Sequence, residues 1–145
     1  MDFTIEIARP VEQVFALIAD LPNYSRWLPP SGLYATTSSV SDTPIKLGST
    51  YEDRSRQATL RGSITKYDPP HAISFHQEMR LRIGSLIVDI AYRLEADGAG
   101  TRVHRTTMPR LSGVVALFGP MVRRSIYAEN RRTLAMMKQY LESQA

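Results

Sequence analysis

The sequence predicts an α+β fold: a curved antiparallel sheet of about seven strands wrapped around one long C-terminal helix, with two short helices after the first strand. Three features predict it. Residues 120–141 hold no Gly or Pro beyond Pro120, and they set Val122, Ile126, Leu134, Met137, Tyr140 and Leu141 on one side at helical spacing. Residues 32–110 hold only strand-like segments, divided by Gly, Pro and Asp turn signals. The opening residues read strand, helix, short helix. A sheet apolar on one face and a helix with one apolar stripe bury those surfaces against each other, and strand twist curls the sheet around the helix.

In chain order, Asp2–Ala8 alternates Phe3, Ile5 and Ile7 with Thr4 and Glu6, the period of a half-buried strand. Arg9-Pro10 ends it, and Pro10 can open a helix carrying Val11, Val14, Phe15, Leu17 and Ile18. Pro22 stops that helix, Asn23 caps a short turn over Tyr24–Leu28, and Pro29-Pro30 forces extended backbone. Strands are then expected over Leu33–Val40, Gly48–Arg56, Ala58–Tyr67, Ala72–Met79, Leu86–Glu95 and Thr101–Met108. Asp68-Pro69-Pro70 and Asp97-Gly98-Ala99-Gly100 are the firmest turns. Gly113–Phe118 is an apolar run that fits either the core or a lid hinged at Gly113 and Gly119. Gly119-Pro120 starts the final helix.

Composition narrows the function classes. At 145 residues the chain is read as a single domain, 1–145, that buries roughly two-thirds of its unfolded surface without staples. With no cysteine there is no disulfide framework, thiolate chemistry or Cys-ligated metal. No signal peptide is visible and no apolar run reaches the roughly 18 residues of a membrane span, so a cytoplasmic protein without stable membrane insertion is expected. The net charge of +4 sits entirely in residues 108–145, where Arg110, Arg123, Arg124, Arg131, Arg132 and Lys138 face only Glu129 and Glu142. A basic helix face can attract phosphates, but no aromatic residues interleave with it and no groove-binding motif accompanies it. It is read as a solvated face, with no nucleic-acid partner.

One irregularity points to function. Asn130 and Thr133 interrupt the apolar stripe near mid-helix, with Glu129 at its border. A helix packed on a dry sheet is normally apolar there, because an unpartnered buried amide costs kilocalories. Either these groups bond locally or to trapped water, or the middle of the helix covers a cavity.

The segments IEIARPVEQVFALIADLPNYSRWLP, GSITKYDPPHAISF, YRLEADGAGTRV and MMKQYLE together resemble the START-related helix-grip proteins, specifically the polyketide cyclase/dehydrase and lipid-transport group of the SRPBCC superfamily. The resemblance covers nearly the whole chain. It implies a deep pocket between the long helix and the sheet. The members it evokes include aromatic polyketide cyclases, quinone and lipid carriers, hormone binders and ring-hydroxylating oxygenase domains, so fold alone does not select among them. It implies a small hydrophobic ligand (a lipid, quinone or polyketide-like molecule), with a monomer or homodimer expected.

The search for chemistry leaves few groups. His71 falls on a loop, and His76 and His104 have parity opposite to Phe75 and Val103, hence away from the pocket. No metal spacing, phosphate loop or nucleophile elbow is present, so no metal or cofactor is expected and the iron-oxygenase branch is unsupported. Strand parity sends Tyr92, Arg105 and Thr107 inward. In the Gly48–Arg56 strand the inward phase is Tyr51, Asp53 and Ser55, since the other would bury Glu52, Arg54 and Arg56 together. The expected ligand-binding set is Tyr51, Tyr92, Arg105, Thr107, Ile126, Asn130, Thr133, Leu134 and Met137, with Arg105 and Asp53 as catalytic candidates. Arg105 and Asp53 also admit a plain buried ion pair, or an arginine that snorkels out at the sheet edge. Trp27 fits a structural plug near the entrance or a ligand contact. A non-catalytic carrier and a polyketide cyclase/dehydratase therefore both stand.

Overall fold

The computed structural model describes residues 1–56 and 58–144. Strand β1 (Asp2–Ile7) is followed by helix α1 (Val11–Ala19), a 3₁₀ segment (Leu21–Arg26), and strands β2 (Thr36–Ser38), β3 (Thr50–Arg54), β4 (Thr59–Asp68), β5 (Ala72–Leu81), β6 (Gly84–Asp97) and β7 (Gly100–Gly113). Two helices close the chain, α2 (Val114–Leu117) and α3 (Gly119–Ser143). All seven strands join one antiparallel sheet in the order β1-β7-β6-β5-β4-β3-β2, the helix-grip arrangement. The hairpin connections make the order sequential, except that β1 returns to pair with β7.

The inner face follows from period-two alternation. Along β6, Val88, Ile90, Tyr92 and Leu94 are buried while Ala91 and Arg93 are exposed. Along β7, Thr101, Val103, Arg105, Thr107 and Pro109 are buried in the same rhythm. Helix α3 lays Ile126, Asn130, Thr133, Leu134, Met137 and Leu141 onto this face. Helix α1 closes one end with Val11, Val14, Phe15 and Ile18. A register shift between Ile64 and Lys66 marks a bulge in β4, a device that bends a strand.

Two strand expectations are corrected. Leu33–Val40 shrinks to the three residues of β2, because the Leu33 and Tyr34 N–H groups donate back to Ser31 Oγ rather than to a strand. Thr101–Met108 instead runs on through Pro109 to Gly113. Thr107 exchanges two bonds with Met1, its N–H donating to the Met1 carbonyl and its carbonyl accepting from the Met1 amino group, and Pro109, two residues on, has no β1 partner among the described residues. The proline therefore costs the ladder no bond. The 113–118 run does not join the core: Leu117 and Phe118 are exposed.

Candidate functional site

A cavity of about 160 Å³ lies between the first half of α3 and the inner face of the sheet. It is smaller than the few hundred Å³ typical of ligand sites. Leu86, Val88 and Ile90 of β6, Leu60 of β4, Phe75 of β5 and Ile126 of α3 supply its apolar walls. Leu21, Tyr24 and Leu28 from the 3₁₀ region and Leu33 and Tyr34 from the following loop complete it. Leu33 is half exposed while lining the cavity, so the space reaches the surface beside it.

Polar groups meet the cavity in two clusters, and Glu129, its carboxylate accepting from Ser31 Oγ (3.1 Å) and Arg132 Nη2 (2.8 Å), adds a charged group to the wall. In the first, Arg105 is 9% exposed, its Nε donating to Asn130 Oδ1 at 2.5 Å and its Nη1 to the Tyr92 hydroxyl. The guanidinium also lies 5.0 Å from the centre of the Tyr92 ring, within cation–π range. Thr107 Oγ1 donates to the same Asn130 oxygen at 2.7 Å, and Asn130 Nδ2 donates to the Ile126 carbonyl at 2.7 Å. Asn130 is thus an acceptor aimed at the sheet and a donor turned back on its helix. Thr133 Oγ1 donates to the Glu129 carbonyl at 2.9 Å, the usual way a helical threonine satisfies itself.

The second cluster sits across the cavity. Asp53 Oδ1 accepts from Thr37 Oγ1 at 2.7 Å, and Thr37 is in turn 3.0 Å from the Tyr34 hydroxyl. Gln77 Nε2 bridges Asp53 Oδ2 (2.9 Å) and the Tyr51 oxygen (2.8 Å). Burial pushes the Asp53 carboxyl up to about 6, against the opposing hydrogen bonds from Thr37 and Gln77 and the charge of Arg105. Burial also raises the phenols of Tyr24, Tyr34 and Tyr51, so they stay protonated at neutral pH. Phe75 stands edge-on between Tyr51 and Tyr92, with ring centres 6.0 and 6.1 Å away. Gly62 opposite Tyr51 has no room for a Cβ, which would fall 2.2 Å from the phenol ring.

Of the expected set, Tyr51, Asp53, Tyr92, Arg105, Thr107, Ile126, Asn130 and Thr133 line the cavity. Leu134 and Met137 do not: Leu134 follows Thr133 directly and Met137 lies one turn on, and both pack into the core. The two readings of Asn130 and Thr133 are not exclusive, because both bond locally and both line the cavity. Arg105 and Asp53 form no ion pair among the described residues, and Arg105 does not snorkel outward. Trp27 is buried edge-on to Tyr24, its Nε1 lacking a partner among the described residues, and it packs in the core rather than lining the cavity. His76 lies on the outer face between Asp89 (2.5 Å) and Glu78 (2.9 Å), and His104 near Glu95 at 3.6 Å. Among the described residues no group of three or more His, Cys, Asp or Glu is placed to hold a metal.

Sequence reasoning missed Gln77 and the loop residues Tyr24, Leu28, Leu33 and Tyr34. Gln77 carried a usable signal, since it shares the parity of Ile73 and Phe75 on β5. The loop residues carried none.

The chain belongs to the polyketide cyclase/dehydrase and lipid-transport family, whose model matches residues 1–142. No curated protein matches it. Among solved structures it is similar to the di-domain ARO/CYC BexL from the BE-7585A biosynthetic pathway, at 19% identity and TM-score 0.73 over 98% of this chain and 46% of that one. The chain therefore spans about half of that protein. It is also similar to Ara h 8.0201 (13% identity, TM-score 0.74, 99% of both chains) and to protein MLL2253 from Mesorhizobium loti (15% identity, TM-score 0.72, 100% and 99%). At these identities the likeness is one of fold.

Proposed function

We propose that this family member takes up a small, largely hydrophobic molecule bearing one oxygen-containing polar end, and holds it beneath α3. The observation that carries the reading is a largely apolar cavity with a few polar groups, gathered around Arg105, Asp53 and Glu129, the usual construction of a small-molecule site. The apolar part would pack on Phe75, Val88, Ile90 and Ile126, and the polar end would meet Arg105, Tyr92 and Thr107. Tyr51, Asn130 and Thr133 complete the wall. A dry engineered cavity of about 150 Å³ admits benzene, so the resting cavity suits roughly one ring or a short acyl segment. A larger quinone, lipid or polyketide-like ligand requires the Leu33–Tyr34 loop to move outward.

A second reading, a cyclase or dehydratase acting on a polyketide-like substrate, draws on one observation: Asp53 titrates near 6 across the cavity from a cation. Its carboxylate is suited to take a proton from the carbon beside a carbonyl. The electron pair then moves onto the carbonyl oxygen, and Arg105 is suited to hold the resulting enolate.

Native mass spectrometry of the purified protein, followed by titration with lipids, quinones and aromatic polyketide fragments, tests both. A co-purifying mass released on denaturation supports uptake. No adduct, together with no binding across the panel, overturns it.

A further inference from the structure

A second surface of the molecule has no role in the pocket. The hairpin joining β5 to β6 and the α2 segment form one apolar tip. The Val114 N–H donates to the Ile83 carbonyl at 2.6 Å, and Gly84 pairs with Gly113. Gly113 is required there: its φ is +64°, and a Cβ would fall 2.3 Å from the Ile83 carbonyl oxygen. The tip is therefore a built junction of two segments. It presents Leu81, Ile83, Leu117, Phe118 and Met121 to solvent, Leu117 at 77% and Met121 at 64% exposure. Scattered exposed leucines are ordinary, but a contiguous cluster of this kind marks an interaction surface.

Charge selects the partner. Residues 79–88 and 108–128, which build this end of the molecule, contain five arginines and no Asp or Glu. Arg80 is neutralised by Glu78 and Arg110 by Asp89. Arg82, Arg123 and Arg124 have no acidic partner among the described residues. Elsewhere on the basic face Arg132 pairs with Glu129 and Lys138 with Glu142, while Arg131 has no acidic partner among the described residues. Among the described residues, unpaired cations also stand elsewhere on the surface, Arg26, Arg61, Lys66 and Arg131 among them, but only at this end do three of them, Arg82, Arg123 and Arg124, accompany a cluster of exposed apolar side chains. Protruding apolar ends ringed by unpaired arginines suit a fluid anionic surface, where side chains enter the acyl boundary and guanidinium groups meet phosphates.

We propose that the β5–β6 tip, α2 and the first turns of α3 form a peripheral docking surface for anionic lipid bilayers. No helix among the described residues is long and apolar enough to cross a membrane, so the contact is confined to the interface. The same end of the molecule leads to the cavity. Leu86 lies two residues beyond Gly84, Ile126 lies about two helical turns beyond Phe118, and both line it. The docking surface stands independently of what the cavity binds.

The test is co-sedimentation with phosphatidylcholine vesicles, with and without phosphatidylglycerol. The protein should pellet with the anionic vesicles only, and less as salt rises. Arg123→Glu and Arg124→Glu should each lower partitioning at least about fivefold, the effect of removing one basic residue from an anionic surface. Leu117→Asp combined with Met121→Asp should abolish it while leaving the melting temperature unchanged, since both side chains are exposed. Three results would overturn the proposal: no pelleting with anionic vesicles, equal pelleting of the Leu117/Met121 double variant, or self-association in sedimentation equilibrium that the double variant abolishes without any vesicle binding.

Discussion

Arg105 of β7 and Asn130 of α3 are joined by a 2.5 Å N–H···O bond that ties the long helix to the sheet beside the cavity. The Asn130 oxygen also accepts from Thr107, so one amide serves two buried donors. Asn130→Leu strands both. Leaving a buried donor unpaired costs about 1–3 kcal/mol, more for a charged one, so the variant should lose roughly 3 kcal/mol in urea unfolding. Asn130→Asp keeps an acceptor facing both donors and should lose clearly less. Equal stability of the two variants would mean that the amide does not hold the helix in place.

Asp53 makes stability pH-dependent in a definite direction. The folded protein binds its proton more tightly than the unfolded chain, about 6 against the ordinary 3.8, so protons favour the folded state. Below about pH 4 the carboxyl is neutral in both states and carries no penalty. As pH rises through 6, the folded protein must ionise a buried group, at a cost approaching roughly 3 kcal/mol. Asp53→Asn removes that penalty while facing Gln77 Nε2 with a second donor. Its stability relative to wild type should therefore rise between pH 4 and 7. Parallel pH profiles for the two proteins would show that Asp53 is better hydrated than its burial implies.

Among the described residues the Thr133 hydroxyl bonds only to its own helix backbone, so it is dispensable to the sheet. Thr133→Leu should fill part of the cavity and stabilise the fold by about 1 kcal/mol through added apolar burial. Uptake of any ligand seen by native mass spectrometry should fall sharply. A loss of several kcal/mol would mean that the helix is already in full contact at this point.

Gly62 is the space into which the Tyr51 ring fits. Gly62→Ala should swing that ring toward the cavity, break the Gln77–Tyr51 bond and weaken ligand binding, at a cost of roughly 1–3 kcal/mol for overpacking. Unchanged affinity would place Tyr51 outside the binding surface.

These sites divide by how they were legible. Strand parity carried Tyr92, Arg105 and Thr107 to the inner face because a strand has only two sides. The Tyr51/Asp53 phase followed from desolvation, since the alternative buried three charges. The helical stripe identified which face of α3 meets the sheet but not where along it packing gives way to space. Leu134 and Met137 therefore read the same as Ile126, although only Ile126 lines the cavity. Tyr24 and Tyr34 lie in segments without periodicity, and tertiary contact alone brings them in. The Arg105–Asp53 pair failed for a related reason: parity puts two residues on one face but says nothing of their separation across a curved sheet.

Arg105→Met is the variant that separates carrier from enzyme. No carboxylate is paired with the guanidinium, so the substitution orphans no buried charge, and Asn130 keeps Thr107 as a donor. Stability should fall by only about 1 kcal/mol, because the Tyr92 hydroxyl loses its donor while an apolar chain of similar length replaces a buried cation. The charge of Arg105 is one of the influences holding Asp53 down, so Asp53 should titrate above 6 in the variant, a shift measurable by carboxyl NMR. A carrier of neutral molecules gains little from a cation, so its affinity should hold or improve. A cyclase that builds negative charge on a carbonyl oxygen should lose on the order of 10²-fold in turnover, the scale of removing one oxyanion donor. Its substrate affinity should change far less, because that contact strengthens in the transition state. We expect the carrier outcome, since Nε and Nη1 of Arg105 are already committed to Asn130 and Tyr92 and the cation is partly spent on the fold. A turnover loss of that size with affinity intact would assign the pocket to catalysis.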